Sequence, residues 1–317
     1  VKVLDVIAVI SNPARYKRRY ELFKQFEQYI LSHANVRLHV VELAYGNRPH
    51  EVTDPLNPRH VQVRTNEELW HKENMFNIGM QILPDDAEYV CMIDADVRFV
   101  RPDWVEETIH KLQHYPVVQM FSHCNMLGPK YFPVQPMSIS FAYAHQRSLP
   151  SFDPGVQPVE LKFGIYGGTP HKTGLAWGYR RDVLEKMGGL MDTCIIGSAD
   201  YHMAAAFINK TEWSIPVDAD GPYRDMIVEW QSNAYPLIEG RVGFVDGLIV
   251  HYWHGKMKDR RYRERWNIVK NFDPQRHLQR DWRNRGLLML TDSGRRTDLW
   301  QHMTEYMNLR NEDSIDE

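Results

Sequence analysis

The chain has 317 residues, 43% hydrophobic and 25% charged, with a formal net charge of −3. That composition excludes wholesale disorder, and the length suits one large domain or two small ones. No apolar run approaches the roughly 18 residues that span a bilayer, and Cys91, Cys124 and Cys194 are too isolated for a disulfide framework or zinc knuckle.

A reducing, cytoplasmic setting is therefore expected, with no membrane contact. The opening Val-Lys-Val-Leu-Asp-Val-Ile-Ala-Val-Ile carries Asp5 in its apolar run and lacks a small-residue cleavage pattern, so it reads as a strand and not a signal peptide. Residues 3–10 form that strand, followed by the polar turn Ser11-Asn12-Pro13 and a helix over about 17–32. In the helix Tyr20, Phe23, Phe26, Tyr29 and Ile30 recur at helical spacing. Strands follow over 36–43 and 61–64. A helix from Asn66 to about Leu83 has Glu67 and Glu68 in its first turn, which suits the helix dipole.

Next comes the most informative stretch, Tyr89 to Trp104. The apolar run Tyr89–Ile93 reads as a buried strand and ends in two carboxylates, Asp94 and Asp96. Burying an unpaired carboxylate costs several kcal/mol or more. The pair must therefore lie where the strand leaves the sheet, in water or against a cation. In open α/β sheets ligands bind at that edge, and two hard oxygen donors there suit Mg²⁺ or Mn²⁺ on a phosphate. The bland reading of an Asp-x-Asp triplet is a turn, a helix cap or a solvated loop end.

Strand, helix, strand, strand, helix, strand over about 95 residues predicts an α/β fold with a mostly parallel central sheet flanked by helices. No G-x-G-x-x-G follows the first strand, which argues against a dinucleotide enzyme. A helix is expected over 103–114. The stretch 127–174 is rich in Pro and Gly (Pro129, Pro133, Pro136, Pro150, Pro154, Pro158, Gly164, Gly167, Gly168) and reads as a functional or binding segment. Helices over 181–187 and 198–208 and short strands over 214–217 and 243–248 complete the expectation, followed by a helical, basic region from about Lys256 and an acidic tail. A catalytic domain over 1–255, with halves of about 1–104 and 105–255, and an extension over 256–317 are the expected divisions. Residues 251–296 hold 13 Lys or Arg against 5 Asp or Glu. That excess reads either as a solvated helical face or as a surface for a polyanion.

Two further constellations stand out. Glycines 174, 178, 188, 189 and 197 surround Trp177 and lead to Asp200, either a helix cap or a general base projecting into a cleft. In Val250-His251-Tyr-Trp253-His254-Gly-Lys256, either histidine could ligate a metal and Lys256 could neutralise a phosphate.

Taken in order, these features resemble the GT-A glycosyltransferases, in the family 2 and galactosyltransferase-like branch. Trp70-His-Lys72-Glu73-Asn74-Met-Phe-Asn77-Ile-Gly79 resembles the helix on the donor side. His251-Tyr-Trp-His254-Gly, Arg260-Arg-Tyr262-x-x-Arg265 and Phe272-Asp273-Pro274 are similar to bacteriophage and large-virus glycosyltransferases. The resemblance covers about residues 3–275. It implies a GT-A fold, with Asp94, Asp96 and His251 or His254 holding Mn²⁺ or Mg²⁺ on the diphosphate of a nucleotide sugar, UDP-linked by expectation. It puts Ser11, Asn12, Arg15 and Glu42 near the nucleoside, and Lys72, Asn74, Asn77 and Lys256 on the donor. It makes Asp200 the base of an inverting reaction and sets Gly174, Trp177 and Trp253 toward the acceptor. The family's Glu-Asp pair reads Ala199-Asp200 here, which leaves one carboxylate.

Trp70, Asn74 and Asn77 fall on one helix face, with Lys72 and Glu73 pointing elsewhere. That face either edges the donor site or satisfies backbone groups of a neighbouring loop. A modified base in double-stranded phage DNA is one expected acceptor. A polysaccharide or lipopolysaccharide transferase, a metal-dependent nucleotidyltransferase, and a non-catalytic module on the same scaffold are the competing readings.

Overall fold

The computed structural model describes residues 2–149, 171–216, 219, 221–261 and 264–315. Pro150, Pro154, Pro158, Gly164, Gly167, Gly168, Val217 and Tyr262, singled out above, lie outside the described residues.

The chain begins with β1 (Leu4–Ser11), α1 (Lys17–Leu31), β2 (Val36–Tyr45), β3 (His60–Thr65), α2 (Lys72–Met80) and β4 (Tyr89–Ile93). It continues through β5 (Val97–Phe99), α3 (Trp104–Leu112), β6 (Val117–Gln119), β7 (His123–Met126), β8 (Ser138–Ser140) and α4 (Phe141–Gln146). Then follow β9 (His171–Lys172), β10 (Ala176–Arg180), α5 (Arg181–Lys186), α6 (Ala199–Phe207) and α7 (Pro222–Ile238). Next are β11 (Val242–Phe244), β12 (Leu248–His251), α8 (Pro274–His277), β13 (Leu278–Asp281), β14 (Leu287–Leu290), α9 (Asp292–Arg295) and α10 (Leu299–Leu309).

The main sheet has the order β11-β6-β10-β4-β1-β2-β3, with β10 antiparallel to its neighbours and the other pairings parallel. β1 is apolar on both sides because both sheet faces are covered. Its Leu4, Val6, Ala8 and Ile10 pack toward α1 and α3, against Phe23, Phe26 and Trp104, while Ile7 faces Phe76 of α2 on the other side. Full burial of side chains of this size stabilises the fold by about 1.5–3 kcal/mol each. Gly79 permits the close fit of α2, since a Cβ there would lie 2.6 Å from Ile7 Cγ2. A second sheet has the order β5-β12-β7-β8-β9, and β13 and β14 form a hairpin.

The expected mostly parallel α/β sheet with flanking helices is therefore present, with local corrections. The helix expected from Asn66 starts only at Lys72. Tertiary contacts explain this: Trp70 N donates to Ile195 O at 2.9 Å, and Glu67 accepts from Leu290 N at 2.6 Å instead of capping a helix. Of the strand expected over 214–217, the described residues 214–216 form none, and Thr211–Trp213 forms a 3₁₀ turn after which Ser214 Oγ donates back to Thr211 O at 2.9 Å. The single strand expected over 243–248 is two, β11 in the large sheet and β12 in the small one. The 17-residue helix α7 was not anticipated. The region after Lys256 is not simply helical, since it contains the β13–β14 hairpin, and Leu288, Leu290, Leu299 and Met303 join the same core as Phe76 and Met203.

Candidate active site

β2 and β3 extend the sheet to one side of β1 and β4 lies on the other, so the connections diverge between β1 and β4. The carboxyl ends of strands at such a switch point form a crevice. Here they carry Ser11 and Asn12 after β1, and Asp94 and Asp96 after β4. Asp94 N donates to Leu175 O at 2.8 Å, which ties the exit of β4 to the start of β10.

The second sheet brings the histidines in. β12 pairs antiparallel with β5, placing His251 opposite Val97, and Tyr252 N donates to Asp96 O at 2.8 Å. Asp96 Oδ2 thereby lies 2.9 Å from His254 Nε2 and 3.6 Å from His251 Nε2, and the two imidazole nitrogens are 3.2 Å apart. One ligand atom from each of Asp96, His251 and His254 falls within 4.8 Å of the others. Burial pushes His251 down to about 3, leaving a neutral ring with a lone pair to offer. Burial opposes the charge on Asp96, but His251, His254 and Arg260 hold it well below the usual carboxylate range. Asp96 Oδ1 is buried with no hydrogen-bond partner. A half-buried carboxylate with one buried, orphaned oxygen beside two imidazoles fits a divalent cation. Arg260 Nη2 reaches the same place, 2.9 Å from His254 Nε2.

Asp94 turns the other way. Lys72 Nζ lies 2.6 Å from Asp94 Oδ1. Burial disfavours the Lys72 ammonium, but Asp94, Glu73 and Asp200 outweigh that and raise its pKa. Burial pushes the Glu73 carboxyl up to about 7, against the pull of Lys72 and with Asp200 reinforcing it. Lys72 and Glu73, expected to point away from the Asn face, thus belong to the carboxylate cluster. Asp200 stands in the first turn of α6, where it accepts from Thr173 Oγ1 at 3.1 Å. Gly174 presses against it, since a Cβ there would be 2.6 Å from Asp200 Oδ2.

Several expected site residues have other partners. Asn77 exchanges hydrogen bonds with Leu190 (Nδ2 to O 3.0 Å, N to Oδ1 2.8 Å), and Asn74 holds Leu288 N at 3.0 Å and Asp192 at 3.1 Å. Of the two alternatives for this face, the structure gives the bracing of neighbouring loops. Trp70 lies before the helix, with its ring against Gly197. Glu42 is buried and accepts from Val52 N at 3.1 Å and Thr53 N at 2.9 Å, fixing that loop. Asn12 closes its own turn onto Tyr16, and Ser11 O accepts from Arg19. Trp177 is a core residue, edge-on to Phe207 at 5.6 Å, with Nε1 donating to Thr173 O. Trp253 donates to Ser314 O. Burial leaves Trp177 no ring face for a sugar, whereas Trp253 stays partly exposed. Lys256 starts a 3₁₀ turn and pairs with no carboxylate among the described residues.

Arg15 remains near a binding space. It lines a cavity of about 520 Å³ with Tyr45, Gly46, Asn47, Arg48, Asn66 and Glu68, beside the carboxyl ends of β1 and β2. A second cavity of about 550 Å³, lined by Glu88, Arg180, Arg181 and Asp182, opens at the start of β4, away from Asp94 and Asp96. Sequence reading missed Thr173 and gave neither Arg260 nor Glu73 a role in the site. The adjacent Lys72-Glu73 charges, set within an otherwise uncharged helix, were the available signal for the last.

The family model described as "Glycosyl transferase family 2" matches residues 35–188. No curated protein matches the chain. Among solved structures, the catalytic domain of Drosophila beta1,4galactosyltransferase 7 in complex with xylobiose is similar at 14% identity, over 67% of this chain and 63% of that one, with a TM-score of 0.33. S. aureus TarS 1-349 is similar at 9% identity, over 84% and 65%, with a TM-score of 0.41. Glucosyl-3-phosphoglycerate synthase from Mycobacterium tuberculosis, in complex with Mg²⁺ and UDP, is similar at 11% identity, over 79% and 71%, with a TM-score of 0.35. The chain thus spans less than two thirds of the galactosyltransferase and TarS chains. No helix among the described residues is long and apolar enough to cross a membrane. The chain is thus similar to family 2 glycosyl transferases over residues 35–188, on a mixed α/β sheet that is mostly parallel.

Proposed function

We propose that this protein transfers a sugar from a nucleoside diphosphate donor, UDP-linked, to a hydroxyl acceptor, with a divalent cation held by Asp96, His251 and His254. The observation that carries the reading is the convergence of the half-buried Asp96 with two buried histidines at the carboxyl end of β4, beside Lys72, Asp94 and Asp200. A cation there supplies charge stabilisation for the departing diphosphate. Two imidazoles with one carboxylate favour Mn²⁺ over Mg²⁺. Asp94 holds Lys72 in the crevice as a fixed positive charge. Asp200 serves as the base that takes the acceptor proton, which makes the reaction inverting. Arg15 and its cavity face the nucleoside.

The test is release of nucleoside diphosphate from a panel of nucleotide sugars with Mn²⁺ present. Turnover should be abolished by EDTA and by Asp96→Asn, and turnover unchanged by either would sink the metal assignment.

For the acceptor we propose a hydroxymethylated or glycosylated base in duplex DNA, as in the bacteriophage enzymes the sequence resembles. The supporting patch is smaller than the charge excess suggests, because Arg280 and Arg295 are paired internally with Asp192 and Glu67. What faces outward is Trp282, 74% exposed at the tip of the β13–β14 hairpin, with exposed Arg283 and Arg285. Affinity for duplex DNA should fall as salt rises. Absence of binding at low salt, with turnover on a polysaccharide acceptor, would replace this reading with the polysaccharide one.

A further inference from the structure

The stretch read from sequence as an acidic tail is threaded into the candidate metal site. Helix α1 begins without a side-chain cap of its own, and Asp313 supplies one, accepting from Lys17 N at 3.0 Å and Arg18 N at 2.8 Å. Asn311 N donates to Tyr16 Oη at 2.9 Å, which in turn donates to Asn308 O at 2.8 Å. On the other side the segment meets Gly255, whose φ is +91° and whose absent Cβ would lie 2.8 Å from Arg310 O and 3.1 Å from Glu312 Cα. Only glycine allows that conformation and that backbone-to-backbone approach together.

The result is a buried carboxylate behind His254. Glu312 is 1% exposed. It accepts from Arg19 (Nε 2.5 Å, Nη2 2.7 Å) and from Arg310 Nε at 2.7 Å. Its Oε2 also lies 3.7 Å from His254 Nδ1. His254 thus has Asp96 2.9 Å from Nε2, and behind it Nδ1 lies 3.7 Å from Glu312 Oε2, with Arg260 Nη2 at 3.5 Å. Metal-ligating histidines commonly give their second ring N–H to a carboxylate, which fixes the tautomer and orients the ligating nitrogen. Two arginines alone would account for a clip on the chain. They do not account for the carboxylate also facing the imidazole.

We propose that Glu312 is a positioning residue for His254, holding its ring so that Nε2 stays directed at the cation shared with Asp96 and His251. This rests on the metal reading given above, and the experiment separates the two. Mn²⁺ is titrated calorimetrically into the full chain and into Glu312→Gln, Asp313→Asn and Asp96→Asn, and Co²⁺ is added to each for its visible absorption spectrum. Asp96→Asn should lose Mn²⁺ binding. Glu312→Gln should bind Mn²⁺ about 10- to 100-fold more weakly, with an altered Co²⁺ spectrum. Asp313→Asn loosens the same segment without touching His254, and should leave both readouts as in the parent. Should Glu312→Gln fail to fold, Glu312→Asp keeps the charge for the arginines but draws it back from Nδ1, and the same weakening is expected. Parent-like affinity and spectrum in the folded Glu312 variant, with binding lost in Asp96→Asn, would overturn the role of Glu312 alone. Mn²⁺ binding absent from the parent, or retained in Asp96→Asn, would overturn the metal reading and this inference with it.

Discussion

Lys72 Nζ stands 2.6 Å from Asp94 Oδ1 while Asp96 Oδ2 stands 2.9 Å from His254 Nε2, so the two carboxylates of one triplet serve different partners. Their conservative variants should therefore fail differently. Asp94→Asn should leave Mn²⁺ affinity nearly intact but strip Lys72 of its partner, costing about 1–3 kcal/mol of stability. Asp96→Asn should abolish Mn²⁺ binding with a smaller loss of stability. Calorimetry and urea unfolding on both variants check this, and equal loss of metal affinity in the two would contradict the division.

Gly174 sets the position of Asp200. The methyl of Gly174→Ala would lie 2.6 Å from Asp200 Oδ2, and the carboxylate, being the movable partner, must shift. A displacement of that size at a reacting group lowers turnover about 100-fold, while Mn²⁺ affinity stays unchanged. A variant with parent-like kcat would show that Asp200 is not the base.

Glu73 should leave a signature in stability against pH. Its carboxyl is raised from 4.5 to about 7 by burial, opposed by Lys72 and reinforced by Asp200. Between those values the native state keeps a proton that the unfolded chain has released. The contribution of this group is therefore fully present below about 4.5 and is lost as pH rises through about 7. Glu73→Gln removes the slope, gaining on the order of 2–3 kcal/mol over the parent between pH 5 and pH 8. Urea unfolding at the two pH values measures the difference, and parallel stability curves would refute it.

Asn77 should behave as a brace. Asn77→Ala leaves Leu190 N and O without their side-chain partners and loosens the 188–192 turn. The expected cost is about 1–3 kcal/mol, with the donor KM unaltered. A raised donor KM at unchanged stability would restore the donor-side reading of this residue.

Much of the sheet was legible because its signals are local. The buried strand Tyr89–Ile93 and the helical spacing of Phe23, Phe26 and Ile30 are set by periodicity within one element. Where a distant partner intervened, local reading failed. Glu67 and Glu68 look like a helical first turn, yet Glu67 belongs to Leu290 and Arg295. Trp177 looks like a stacking platform among glycines, yet it fills the core beside Phe141 and Phe207. An aromatic side chain reads the same in sequence whether it faces a ligand or a core.

By itself the sequence determined the α/β order, the carboxylates at the end of β4 and the chemical character of the donor set, because residue type and strand patterning carry that information. Only the tertiary structure decided which atoms meet. The pairing of β12 with β5 sets His251 beside Asp96, α2 delivers Lys72 to Asp94, and Gly255 lets Glu312 reach the back of His254. These contacts join residues far apart in the chain, and no local periodicity encodes a hydrogen bond between separate elements.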